Sequence, residues 1–66
     1  MTVVYGVEDF TNQKSGTVAS ARAEASRVFR ATMPETVLVN GTPATEGTPV
    51  GAADTVEFVR AAGTKG

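Results

Sequence analysis

The stretch TVEFVRAAGTKG, residues 55–66, decides how the rest of this chain is interpreted. Its first residues alternate, so that Val56 and Phe58 fall on one face of a strand and the glutamate between them falls on the other. The residues that follow are mostly small or polar and end in Gly66. The pattern predicts a last strand that leads into a flexible tail at about residues 61–66, an arrangement suited to presenting a terminal carboxylate.

Length and composition restrict the classes of protein to which the chain can belong. Its 66 residues predict one domain, residues 1–66, near the lower size limit for unaided folding and too small for an internal cavity of substrate size. The sequence has no cysteine and no histidine. Thiolate nucleophiles, disulfides, the usual general base and the commonest metal ligand are therefore missing. We expect a protein that is not an enzyme and uses no cofactor.

Charge and hydropathy give expectations about partners and location. The six basic and seven acidic side chains nearly cancel. Because nucleic-acid binding depends on dense neutralisation of phosphates, nucleic acid is not expected as a partner. No apolar run approaches the length of a membrane span, and a basic region followed by an apolar core is missing from the N-terminus. The sequence predicts a cytoplasmic protein that makes no membrane contact.

The clearest helical signal covers residues 17–32. Thr17 is a good N-cap candidate, because its hydroxyl can accept a hydrogen bond from an amide of the first turn. Apolar or small side chains then recur at spacings of three and four, at Val18, Ala21, Ala25, Val28, Phe29 and Thr32. Pro34 disfavours helical geometry in the residue before it, so we expect the helix to end near Thr32. One face of this helix should pack against a sheet.

Strand signals lie on both sides of the helix. Residues 2–7 place Val3, Tyr5 and Val7 on one face of a first strand, and a weaker strand at residues 10–12 would complete a hairpin.

After the helix, residues 36–39 form a short apolar strand that runs directly into an Asn-Gly dipeptide, which favours a type I′ turn. Residues 42–44 would be the return arm, and residues 45–54 are loop-like with Val50 as their one candidate core residue. The order predicts an α+β fold in which a mixed four-stranded sheet packs on one helix and the first and last strands lie parallel at its centre.

Two stretches resemble the ubiquitin-like β-grasp superfamily in its prokaryotic forms. Residues 37–59, which contain V-L-V-N-G, the apolar Val50, an acidic turn at Asp54 and T-V-E-F-V, are similar to the second half of the ThiS/MoaD-type sulfur carriers of thiamine and molybdopterin synthesis. Residues 60–66 resemble the ending of the small ubiquitin-like protein C of PRTRC systems. The resemblance implies a β-grasp (ubiquitin-like) fold.

The resemblance also implies a function carried by the tail. Ubiquitin-like carriers are adenylated on their terminal glycine by a ThiF-like activating enzyme, and then carry sulfur or are joined to an amine. Gly66 would be this C-terminal activation site, with Gly63 and Lys65 in the recognised tail. Carriers normally end in two glycines, whereas here Lys65 precedes Gly66. A non-covalent adaptor with an inert tail is therefore the alternative.

A candidate partner-binding face comes from the strands themselves. Val4, Leu38 and Val59 would lie together on the sheet face that points away from the helix. Contiguous apolar surface usually marks an interface, and ubiquitin-like domains commonly bind protein partners through this face. The alternatives are a weak homodimer of an otherwise monomeric protein, or burial of the face under the long loop through Val50.

A second candidate surface is basic. Arg22, Arg27 and Arg30 fall on one arc of the predicted helix and could bind an acidic partner or nucleic acid. The alternative is an ordinary solvated face on which Glu24 and Arg27 form an i,i+3 pair.

Overall fold

The computed structural model describes residues 1–59, and within them the chain forms seven strands and one helix. In chain order these elements are β1 (Thr2–Tyr5), β2 (Glu8–Thr11), β3 (Gly16–Thr17), α1 (Val18–Phe29), β4 (Thr36–Val39), β5 (Thr42–Pro43), β6 (Pro49–Val50) and β7 (Thr55–Val59). The prediction of an α+β fold with one helix and a mixed sheet is confirmed.

The main sheet has the strand order β2-β1-β7-β4-β5. β1 and β7 are parallel, and the other neighbours are antiparallel. The first and last strands thus lie side by side, as predicted. The predicted count of four strands was wrong, because both hairpin arms pair and give five. A separate pairing of β3 with β6 was also missed, since two-residue strands carry no periodicity.

The two hairpin turns explain where β1 and β4 end. Asn40 and Gly41 both have positive φ, 53° and 84°, as the predicted type I′ turn requires. Gly6 has a φ of 65° and turns the chain directly after Tyr5. The first strand is therefore shorter than predicted, and Val7 is fully exposed in the turn instead of lying on the buried face.

The helix begins with the predicted cap. Thr17 Oγ1 accepts from the Ser20 N–H at 3.3 Å, while Ser20 Oγ accepts from the Thr17 N–H at 3.0 Å, which completes a capping box. The predicted end near Thr32 was wrong. Arg30 adopts the left-handed conformation (φ 56°) and donates its N–H to Ser26 O. The chain thus leaves the helix after Phe29, before Pro34 can have any effect.

One apolar core fills the space between the helix and the sheet. Its buried members are Met1, Val3, Val18, Ala21, Ala25, Met33, Val37, Val50, Val56 and Phe58. Val50 was predicted, whereas Met1 and Met33 were missed because no strand or helix period marks them. Val28 is 51% exposed, so its predicted burial was wrong. It lies about 80° around the helix from Val18, whereas Phe29 lies only about 20° away, at about 100° per residue.

The loop before β6 closes the amino end of the helix. Val18 and Ala19 donate their N–H groups to the carbonyls of Thr48 and Glu46, each at 3.0 Å. The first amides of a helix have no intrahelical partners, so the loop carbonyls satisfy two of them here. The loop therefore packs on the helix side of the sheet and leaves the opposite face uncovered by Val50.

No helix in residues 1–59 has the length and apolar character needed to cross a membrane.

Candidate functional site

The face of the main sheet that points away from the helix carries a row of five side chains, one from each strand. The register pairs Val4 with Asp9 and with Glu57, and Leu38 with Glu57 and with Pro43. Residues paired directly across strands share a face, and their sequence neighbours point to the other face. These five side chains, called here the acidic–apolar row, therefore follow one another across the sheet, each beside the next, in the order Asp9, Val4, Glu57, Leu38 and Pro43.

The charges of the acidic–apolar row are unbalanced within the described residues. Asp9 and Glu57 are exposed, and no hydrogen bond or ion pair joins either side chain to another residue in 1–59. The basic side chains of the same residues lie elsewhere, in the helix, at its C-cap and at Lys14. Two carboxylates consequently flank the half-buried Val4 with no cation of residues 1–59 beside them. A row in which carboxylates alternate with apolar side chains favours a basic, partly apolar ligand surface.

Val59 extends the apolar part of this face towards the first turn. It lies two residues beyond Glu57 on β7 and is half-buried. A shallow hollow of about 350 Å³ is lined by the Tyr5–Glu8 turn and by Glu57, Phe58 and Val59. The fully exposed Val7 stands at its border. The hollow therefore adds a second apolar contact point beside the row.

The three predicted face residues lie where the alternation placed them. Val4, Leu38 and Val59 share the face away from the helix, and each is half-buried. Their role in binding stays a prediction. Asp9, Glu57 and Val7 were not predicted to take part in binding. The alternation already put Glu57 opposite the core, but only the register shows that it stands between Val4 and Leu38.

Arg22 belongs to a structural network. Its Nε and Nη2 bond the carboxylate of Glu46 at 2.6 to 3.0 Å, and this guanidinium lowers the pKa of Glu46. Nη1 donates to the carbonyl oxygens of Met33 (3.2 Å) and Pro34 (2.6 Å). The guanidinium carbon also stands 5.1 Å from the centroid of the Phe58 ring, a cation–π distance. Arg22 thus ties the helix to two loops and to the core.

The other two predicted basic residues are separate from this network. Arg27 and Arg30 are exposed and form no ion pair within residues 1–59. The expected pair between Glu24 and Arg27 does not form, because Glu24 Oε2 instead faces Lys14 Nζ at 3.6 Å and its Oε1 accepts from Asn12 Nδ2 at 3.1 Å. The three arginines therefore do not present one free basic face.

The predicted tail residues Gly63, Lys65 and Gly66 lie outside the described part of the chain. Their roles stay predictions from the resemblance. Comparison of the chain with protein-family models, with curated proteins and with solved structures finds no match to any of them. The function of this chain must therefore be inferred from the geometry of residues 1–59 and from the motifs in its sequence.

Proposed function

We propose that this chain is a cytoplasmic ubiquitin-like protein of β-grasp fold that is not an enzyme and acts by binding a protein partner. The fold assignment is supported by the parallel pairing of β1 and β7, with antiparallel β2 beside β1 and the β4–β5 hairpin beside β7. In chain order the helix connects the β1–β2 hairpin to the β4–β5 hairpin. In β-grasp folds the first and last strands lie side by side in this way.

The acidic–apolar row is the observation that carries this proposal. Val4 and Leu38 offer apolar contact, while Asp9 and Glu57 offer two carboxylates that residues 1–59 leave unpaired. The partner surface that fits is apolar with one or more lysine or arginine side chains. A second copy of this chain fits less well, because two such faces would bring carboxylate against carboxylate.

The tail supplies the second part of the proposal. Gly66 is the proposed activation site, and a ThiF-like activating enzyme is the proposed partner, with Gly63 and Lys65 recognised on the way to its nucleotide. Lys65 in place of a second glycine favours the second candidate function, a non-covalent adaptor whose tail is inert. Both functions use the same sheet face, and they differ in whether the terminal carboxylate reacts.

The test is a titration of the isotope-labelled full chain with a ThiF-like activating enzyme, followed residue by residue by NMR. We expect the largest shifts at the acidic–apolar row. Val4→Lys should abolish binding, because lysine replaces an apolar side chain of the row and places a positive charge between the two carboxylates that the partner's basic side chains would contact. Val28→Lys, the same exchange on the exposed side of the helix, is the matched control and should bind like the wild type.

Shifts confined to the helix, or equal binding by Val4→Lys and wild type, would contradict the face assignment. Adding ATP and measuring intact mass separates the two candidate functions. An adenylate that disappears on deletion of Gly66 supports the activated carrier. Binding through the row without any adduct supports the adaptor.

A further inference from the structure

The Asn-Gly sequence in the hairpin turn between β4 and β5 is held by hydrogen bonds that join the Asn40 side chain to Asp54 and to the backbone of Thr55, called here the Asp54–Thr55 clasp. Asn40 Nδ2 donates to Asp54 Oδ1 at 3.0 Å, and Asn40 Oδ1 accepts from the Thr55 N–H at 3.0 Å. The backbone N–H of Asn40 donates to Thr55 O at 2.8 Å. Donors and acceptors match in only one orientation of the amide, since Asp54 can only accept and the Thr55 N–H can only donate.

Asn-Gly is the dipeptide in which asparagine deamidates most readily. The backbone nitrogen of Gly41 attacks Cγ of Asn40, the Cγ–Nδ2 bond breaks, and ammonia leaves with the proton of the attacking amide. Water then opens the resulting succinimide at either carbonyl and gives aspartate or isoaspartate. Glycine permits this reaction because it has no side chain to hinder the attacking nitrogen. No oxidant or cofactor is consumed, and the exposed turn has free access to water.

The clasp opposes ring closure. Ring closure requires the Gly41 nitrogen to approach Cγ, and the torsions about the Cα–Cβ and Cα–C bonds of Asn40 set that approach. The side chain is held at both its nitrogen and its oxygen, and the backbone is held in the left-handed conformation with φ 53°. Both side-chain hydrogen bonds must therefore break before the reaction can begin.

The product also conflicts with the clasp. Deamidation replaces Nδ2, a donor, with an oxygen, so that a carboxylate would stand 3.0 Å from Asp54 Oδ1 in the unrelaxed turn. Asp54 is itself fixed, because its Oδ2 accepts from the Gly51 N–H at 2.7 Å. Two like charges at this distance repel. Isoaspartate would in addition lengthen the backbone of a two-residue turn whose geometry sets the strand register.

We propose that Asn40 is a deamidation site that the Asp54–Thr55 clasp keeps closed. The reaction proceeds from the opened turn, and the product resists closing again. The deamidated fraction therefore grows with the time that the β4–β5 hairpin spends open, and the product then favours the open state.

The experiment compares deamidation rates in mildly alkaline buffer, measured by intact mass and by an isoaspartate-specific methylation assay. The full chain should react about tenfold more slowly than a peptide of residues 36–45, since two hydrogen bonds must break first. Asp54→Ala should raise the rate in the full chain several-fold. Ser26→Ala, which removes the Ser26 Oγ bond to Ala31 O at the far end of the helix, is the control for a general loss of stability.

Equal rates in the peptide and in the folded chain would overturn the proposal. Equal rates in Asp54→Ala and Ser26→Ala variants of matched stability would do the same, because global unfolding and not the clasp would then control the reaction. The product is tested directly with Asn40→Asp. This variant should melt below the wild type at neutral pH and approach it on acidification, and identical melting at neutral pH would contradict the repulsion argument.

Discussion

The two faces of the main sheet are built from the same strands and differ in almost every other respect. On the helix side, Val3, Val56 and Phe58 are fully buried, and no polar side chain of residues 1–59 is buried with them. On the other side, Val4 is half-buried and the exposed Glu57 has no partner within residues 1–59. Because side chains alternate along a strand, one residue of difference separates a position that stabilises the fold from one that is available for recognition.

Phe58→Ala, on the buried face, should have the largest effect on stability. Removing a buried phenylalanine costs about 3–5 kcal/mol. A chain of this length has a free energy of unfolding of about 3–10 kcal/mol in total, at about 0.05–0.15 kcal/mol per residue. We expect the variant to be largely unfolded by circular dichroism, whereas Glu57→Ala next to it should unfold within about 0.5 kcal/mol of the wild type. Similar urea midpoints for the two variants would contradict the assignment of the faces.

Arg22→Ala should have the next largest effect. Arg22 is partly buried and bonds Glu46, three backbone carbonyls and the Phe58 ring face. Losing these contacts and leaving the carbonyls unpaired should cost about 2 kcal/mol. Glu46→Gln removes only a half-exposed partner and should cost less than about 1 kcal/mol. Urea denaturation of both single variants and of the double variant measures the coupling. If Glu46→Gln lost as much free energy of unfolding as Arg22→Ala, the ion pair and not the carbonyl hydrogen bonds would dominate.

Acidification should weaken the edge of the sheet at the Asn40 turn. The Gly51 N–H, and then the Asn40 amide, hold the pKa of Asp54 below its ordinary value of 3.8. A lowered pKa in the folded state stabilises the protein above the unfolded value, and this stability is lost as the pH falls through the folded value. Melting temperatures measured downward from about pH 5 should therefore fall less steeply for Asp54→Asn than for the wild type. Parallel curves would mean that Asp54 does not contribute.

Val4→Lys should have only a small effect on stability. The aliphatic stem of lysine can cover the half-buried site, and its ammonium would stand between Asp9 and Glu57. The free energy of unfolding should change by less than about 1 kcal/mol, whereas Val3→Lys one residue earlier would bury a charge and unfold the domain. Urea denaturation of the two variants measures this difference in stability between the two faces. Strong destabilisation by Val4→Lys would place Val4 in the core.

Sequence reasoning succeeded where the signal was local. The cap at Thr17, the Asn40–Gly41 turn, the alternation of β7 and the apolar Val50 were all predicted from adjacent or periodic residues. It failed for residues whose environment comes from distant parts of the chain. Arg22 was placed on an arc of the helix that would be either a basic binding face or an ordinary solvated face, yet a loop residue 24 positions later fixes its guanidinium. Similarly, the helix ended earlier than Pro34 suggested, because Arg30 could adopt a left-handed cap.

By itself, the sequence determined the class of fold, the sheet face to which each residue of β1 and β7 belongs, and the type of the β4–β5 turn. These follow from backbone sterics and from the period of apolar residues, which act over a few neighbouring positions. Only the tertiary structure decided that Glu57 stands between Val4 and Leu38, that Arg22 is held by Glu46, and that Asp54 locks Asn40. The physical reason is register: which residues meet across strands and loops depends on packing the whole core at once.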